Sequence, residues 1–153
     1  MNDNSSESRY DQTTAEQSLA TTEFKEALPP NCPPDGAKNP VTQVVLRLVS
    51  SQDVSEEDFF SYAKLGKKPH FDVCPCLLAS CSVFSSSSGH HRIGAHIKLP
   101  KLRERKYVAK VKLTPQSGLV QYANSNSGHI DLWMFSTFNP LENVLEVLDV
   151  KSI

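Results

Sequence analysis

The sequence predicts a small α+β domain, mostly antiparallel sheet with one or two helices, after a disordered N-terminal tail. Three observations predict it. Ser-Glu-Glu-Asp at residues 55–58 is a capping-box pattern that opens a helix. Segments of alternating apolar and polar residues dominate the second half. The first 40 residues carry almost no aliphatic periodicity.

Those 40 residues hold seven acids and three bases, then Pro29, Pro30, Pro33 and Pro34. Such a segment buries too little apolar surface to offset the entropy of ordering it. Leu19, Phe24 and Leu28 share one side of a short helix over residues 14–28, which the prolines stop. The expected organisation is therefore a tail at 1–40 and one domain at 41–153. The N-terminus shows no basic region followed by an apolar core, and no run approaches the roughly 18 apolar residues of a membrane helix. A cytoplasmic protein that does not enter a membrane is expected, with free thiols at Cys32, Cys74, Cys76 and Cys81.

Residues 41–50 are rich in Val and Leu and read as a strand, with Val44, Leu46 and Leu48 on one face and Val45, Arg47 and Val49 on the other. The helix begins at Ser55, takes its apolar side from Phe59, Phe60, Tyr62, Ala63 and Leu65, and stops at Gly66. Residues 74–84 fit either a short buried helix or the approach to a strand. Residues 107–113 alternate cleanly, and the Thr-Pro-Gln-Ser-Gly turn after them pairs them with 119–122 as a hairpin. Residues 129–135 form a further strand. Residues 141–150 fit strand or helix, and the abundance of Val favours strand.

Four groups of residues carry candidate chemistry. Arg47 interrupts an apolar strand, where a charge needs a carboxylate or an anionic ligand for its planar fork. Ser80 and Ser82 flank Cys81 and share a face if the segment is extended. His129 and Asp131 share a face of their strand, as a general base and its orienting carboxylate would; the alternative is an exposed edge strand. Trp133 lies on the same face and implies a partly covered groove. The Cys74-x-Cys76 spacing does not suit two thiolates on one zinc ion, so no metal is expected, and Cys81 reads as a small buried residue.

Three pieces occur in a suggestive order: Val-Val-Leu-Arg-Leu-Val around Arg47, Ser-Cys-Ser-Val-Phe at 80–84, and the strand, turn and strand over 106–122. This layout resembles the ADP-ribosyltransferase-like fold, including its compact bacterial toxin-type members. The resemblance implies NAD, or a related dinucleotide, in a cleft lined by Arg47, Ser80, Ser82, Trp133 and His129. It implies an Arg47 contact to the dinucleotide and a nicotinamide pocket steadied by Ser80 and Ser82, with Cys81 where the family has Thr. It assigns the transfer of ADP-ribose to Glu146, which would stabilise an oxocarbenium-like transition state. The family's Glu-x-Glu pair is absent here.

A different class of function fits the charge pattern. Residues 92–112 hold eight Lys or Arg and one acid, Glu104. This is the footprint of a non-enzymatic binding module that contacts nucleic acid or an acidic protein through Arg92, Lys98, Lys101, Arg103, Arg105 and Lys106. A cleft converging on Arg47 favours the dinucleotide, whereas a flat basic surface favours the binding module.

Overall fold

The computed structural model describes residues 23–67, 72–86, 105–123 and 128–152. Strand β1 spans Gln43–Val49 and is followed by a single 3₁₀ turn, Glu56–Phe59, and two short helices, α1 at Tyr62–Leu65 and α2 at Pro75–Leu78. Strands β2 (Cys81–Ser85), β3 (Tyr107–Leu113), β4 (Gly118–Tyr122), β5 (His129–Met134) and β6 (Val144–Asp149) complete one sheet of order β4-β5-β2-β1-β3-β6. Every neighbouring pair is antiparallel. The expected α+β class with a mostly antiparallel sheet is what forms. No helix among the described residues is long and apolar enough to cross a membrane.

Period two along the strands creates two buried clusters, one on each side of the sheet. Val45 and Val49 of β1 join Cys81, Val83, Ala109, Val111, Leu113, Val120, Ile130, Leu132 and Met134 in the main core, under Phe59 and Phe138. Leu46 and Leu48 face the other way and pack with Phe84, Val108 and Val150. The central strands are thus apolar on both faces, as strands covered on both sides must be.

The expected hairpin between residues 107–113 and 119–122 does not form. The turn is present, closed by the Ser117 N–H donating to Thr114 O at 2.9 Å. Yet β3 lies between β1 and β6, and β4 pairs with β5. A Cβ on Gly118 would collide with the Trp133 carbonyl oxygen, so glycine is what lets β4 approach β5 so closely. The alternation of β3 is real, but β1 offers it seven paired positions, from Gln43↔Leu113 to Val49↔Tyr107, and a strand-turn-strand pattern does not identify partners.

The expected single helix from Ser55 to Gly66 also divides. Its capping box is in place, with the Ser55 N–H donating to Asp58 Oδ2 at 2.8 Å. Phe60 then turns extended, and Ser61 caps a second helix by accepting from the Lys64 N–H at 3.1 Å. At the break Glu26 takes the Ser61 N–H at 3.0 Å and also accepts from its hydroxyl. Gly66 ends α1 at φ 71°, as the sequence predicts.

The tail expected over 1–40 is corrected from residue 23 onward; residues 1–22 lie outside the described residues. Residues 23–40 form a strap bound to the sheet. The Lys25 N–H donates to Met134 O at 2.8 Å, and the Ser136 N–H donates to Glu23 O at 2.8 Å. The Phe24 ring lies 5.5 Å from that of Phe135. Lys38 bridges to Val120 on the outer edge of β4, and Asn39 donates to Pro115 O at 2.8 Å. Phe24 is therefore in an extended bridge and not in the helix expected over 14–28. Low aliphatic content is misleading here because backbone bonds and one cross-link do the holding. That cross-link joins Cys32 to Cys76 and corrects the expectation of four free thiols; Cys74 and Cys81 remain free.

A chain starting at residue 23 should therefore melt well above one starting at 41. Loss of a disulfide alone costs about 2–5 kcal/mol, which at roughly 2–5 °C per kcal/mol sets a gap of about 4–25 °C. Thermal unfolding followed by circular dichroism measures it, and equal melting temperatures would refute the role of the strap.

Candidate functional site

Arg47 lies on the main-core side of β1 with only 6% of its surface exposed. Its position follows from where the sheet parts. The β1–β2 ladder has two paired positions, Val45↔Ser85 and Leu46↔Phe84, while β2 stays paired with β5 down to Cys81↔Leu132. Beyond Leu46 the Ser82 carbonyl has no ladder partner on β1. Arg47 fills the gap: Nη1 donates to Ser82 O at 2.7 Å and Nε donates to Asp58 O at 2.8 Å. The fork that was expected to grip an anion, or to pair with a carboxylate, is used on two backbone oxygens.

Its charge is felt by its neighbours. Burial pushes the Cys81 thiol up, against the opposing pull of Arg47. Cys81 is thus a protonated core residue, inert as a nucleophile. Burial, followed by repulsion from Arg47, lowers the Arg105 guanidinium, with Tyr62 and Asp58 acting in the other direction.

The opposite face of the sheet carries the polar cluster. Asp131 is 8% exposed and stands across from Ser82 on β2 and Gln121 on β4. The Ser80 hydroxyl lies 2.7 Å from Leu77 O and 3.4 Å from Asp131 Oδ1. His129 Nε2 is 3.8 Å from the same carboxylate oxygen, and its ring meets Phe84 edge-on at 5.5 Å. Burial raises the Asp131 carboxyl above its ordinary value; His129 and the Ser80 hydrogen bond oppose that rise. Gln121 Oε1 is buried with no hydrogen-bond partner among the described residues. β5 is an interior strand of the sheet, so the alternative of an exposed edge strand does not describe it.

Of the six residues singled out by sequence, Ser80, Ser82 and His129 gather around Asp131. Trp133 shares their face, but it is 1% exposed and its indole N–H donates to Cys76 O at 3.0 Å. Arg47 lies on the reverse face, reaching this group only through the Ser82 carbonyl. Glu146 lies on the far edge strand, half exposed and 3.3 Å from Lys110. In the strand order β6 stands four places from β5. The cleft expected to unite Arg47, Ser80, Ser82 and His129 is not formed.

Sequence reasoning missed Gln121 and the bonded pair of Cys32 and Cys76. For Gln121 the available signal was its place in the period of β4; for the cysteines it was their even number. Of the basic stretch, Arg92, Lys98, Lys101 and Arg103 lie outside the described residues, while Arg105 and Lys106 lead into β3. Lys106, Lys110 and Lys112 share one face of that strand, with Lys106 and Lys112 exposed. Comparison of the chain with family models, with curated proteins and with solved structures finds no match.

The raised carboxyl of Asp131 has a consequence for stability. An acid whose folded value exceeds its unfolded one stabilises most below the unfolded value, about pH 3.9 for Asp, and loses that contribution as pH rises through the folded value. Asp131→Asn should therefore melt higher than the parent at pH 8, with the gain shrinking toward pH 4. A gain that grows on acidification would contradict the assignment.

Proposed function

We propose that this chain is a non-enzymatic binding module that contacts the phosphate backbone of a nucleic acid through residues 92–112. The observation that carries the reading is the commitment of Arg47. Its two bonds go to Ser82 O and Asp58 O, which commits the guanidinium to the fold, while the densest run of basic residues in the sequence is 92–112. Where that stretch is described, Lys106 and Lys112 point outward from β3 and Lys110 is matched by Glu146. A polyanion suits such a run because it needs charge along a line and no apolar pocket. A cytoplasmic location belongs to this proposal, and there the Cys32–Cys76 bond is exposed to reducing thiols.

The dinucleotide reading draws less support. It needs Arg47, Ser82 and Glu146 around one ligand, and they occupy the core, the opposite face and the far edge.

Fluorescence anisotropy with a labelled single-stranded oligonucleotide tests the proposal. Binding should weaken steeply with salt, and replacing Lys106 and Lys112 together by Ala should lower the slope of log K against log salt by about one to two. The proposal fails if no binding occurs at low salt, or if the double variant keeps the parental slope. A rise in melting temperature with NAD, lost in Arg47→Lys, would instead favour the transferase.

A further inference from the structure

The three cysteines near α2 differ in a way the fold does not require. Cys32 of the strap is bonded to Cys76 in the first turn of α2. Cys74, the residue that precedes this helix, carries a free, exposed thiol and is separated from Cys76 by Pro75 alone. Both bonded cysteines are partly exposed, so the disulfide is within reach of an attacking sulfur. The remaining thiol, Cys81, is 4% exposed and packs in the main core, where it takes no part. An exposed thiol next to an accessible disulfide is the arrangement that thiol–disulfide exchange needs.

We propose that Cys74, Cys76 and Cys32 form a thiol–disulfide exchange site in which Cys74 opens the cross-link that holds the strap. Cys74 loses its proton to water and its sulfur attacks Cys76 Sγ. The Cys76–Cys32 bond breaks as the Cys74–Cys76 bond forms, and Cys32 leaves as a thiolate that takes up a proton. One thiol and one disulfide enter and leave, so no oxidant or reductant is consumed. Two residues of chain span at most about 7 Å, which allows the roughly 4.4–6.8 Å Cα separation of a disulfide. After the exchange the strap keeps its bridges at Phe24 and Lys38 and the Glu26–Ser61 pair, but its middle is free of α2. Beneath it lies a crevice lined by Phe24, Leu28, Phe59, Cys81, Leu132 and Met134.

Peptide mapping of the full chain tests the site. The protein is held at pH 8 without added thiol, quenched with N-ethylmaleimide at intervals, digested and analysed by mass spectrometry. The first samples should carry label on Cys74 and a Cys32–Cys76 cross-link. Later ones should gain a second population, labelled at Cys32 and cross-linked between Cys74 and Cys76, over seconds to hours. Cys74→Ser, a change at an exposed position, should retain the original cross-link and never label Cys32. The proposal is overturned if Cys32 stays unlabelled in the parent after a day, if it labels equally in Cys74→Ser, or if Cys32 and Cys76 are not joined at the outset.

Discussion

The sheet depends on one buried guanidinium. β1 must pair fully with β3 and yet leave β2 after two positions. Parting two strands inside a core exposes backbone oxygens to an apolar surround, at a cost of about 1–3 kcal/mol for each one left without a partner. Arg47 meets that demand from the strand that causes it, and its second bond ties the 3₁₀ turn at Asp58 to the same point. A neutral amide in this place would supply fewer donors. A lysine would supply a point charge without the rigid fork.

The rest of the architecture follows from this point. With Asp58 fixed, Phe59 is carried into the main core and Ser61 is brought to Glu26 of the strap. The strap in turn continues to Cys32, which reaches α2, and to Lys38, which covers the outer edge of β4. An edge strand left open invites pairing with other chains, and the strap closes part of one such edge. On the opposite face Ser80, Asp131, His129 and Gln121 form a largely buried polar group, and burial raises the Asp131 carboxyl above its ordinary value.

Local features were legible in the sequence because they are determined locally. The capping box at Ser55 and Asp58, the stop at Gly66, the alternation along β1 and β3 and the shared face of His129 and Asp131 all appear in place. The features that escaped depend on contacts between distant residues. The pairing of β4 with β5 brings Gly118 against the distant Trp133, an approach that only glycine permits. The strap looks like a tail because its bonds run through backbone groups, which composition does not reveal. The role of Arg47 turned on where two strands separate, and the identity of Arg47 alone suggests a ligand as readily as a clamp.

The unfolding free energy of Arg47→Met in urea tests the central claim most directly, because methionine fills the space but donates no hydrogen bond. The account predicts a loss of about 2 kcal/mol or more, from two part-buried carbonyl oxygens left without donors, with no change in the slope of unfolding free energy against urea. A variant as stable as the parent to within about 0.5 kcal/mol, the ordinary scatter of surface substitutions, would contradict it and return Arg47 to the role of a ligand-binding residue.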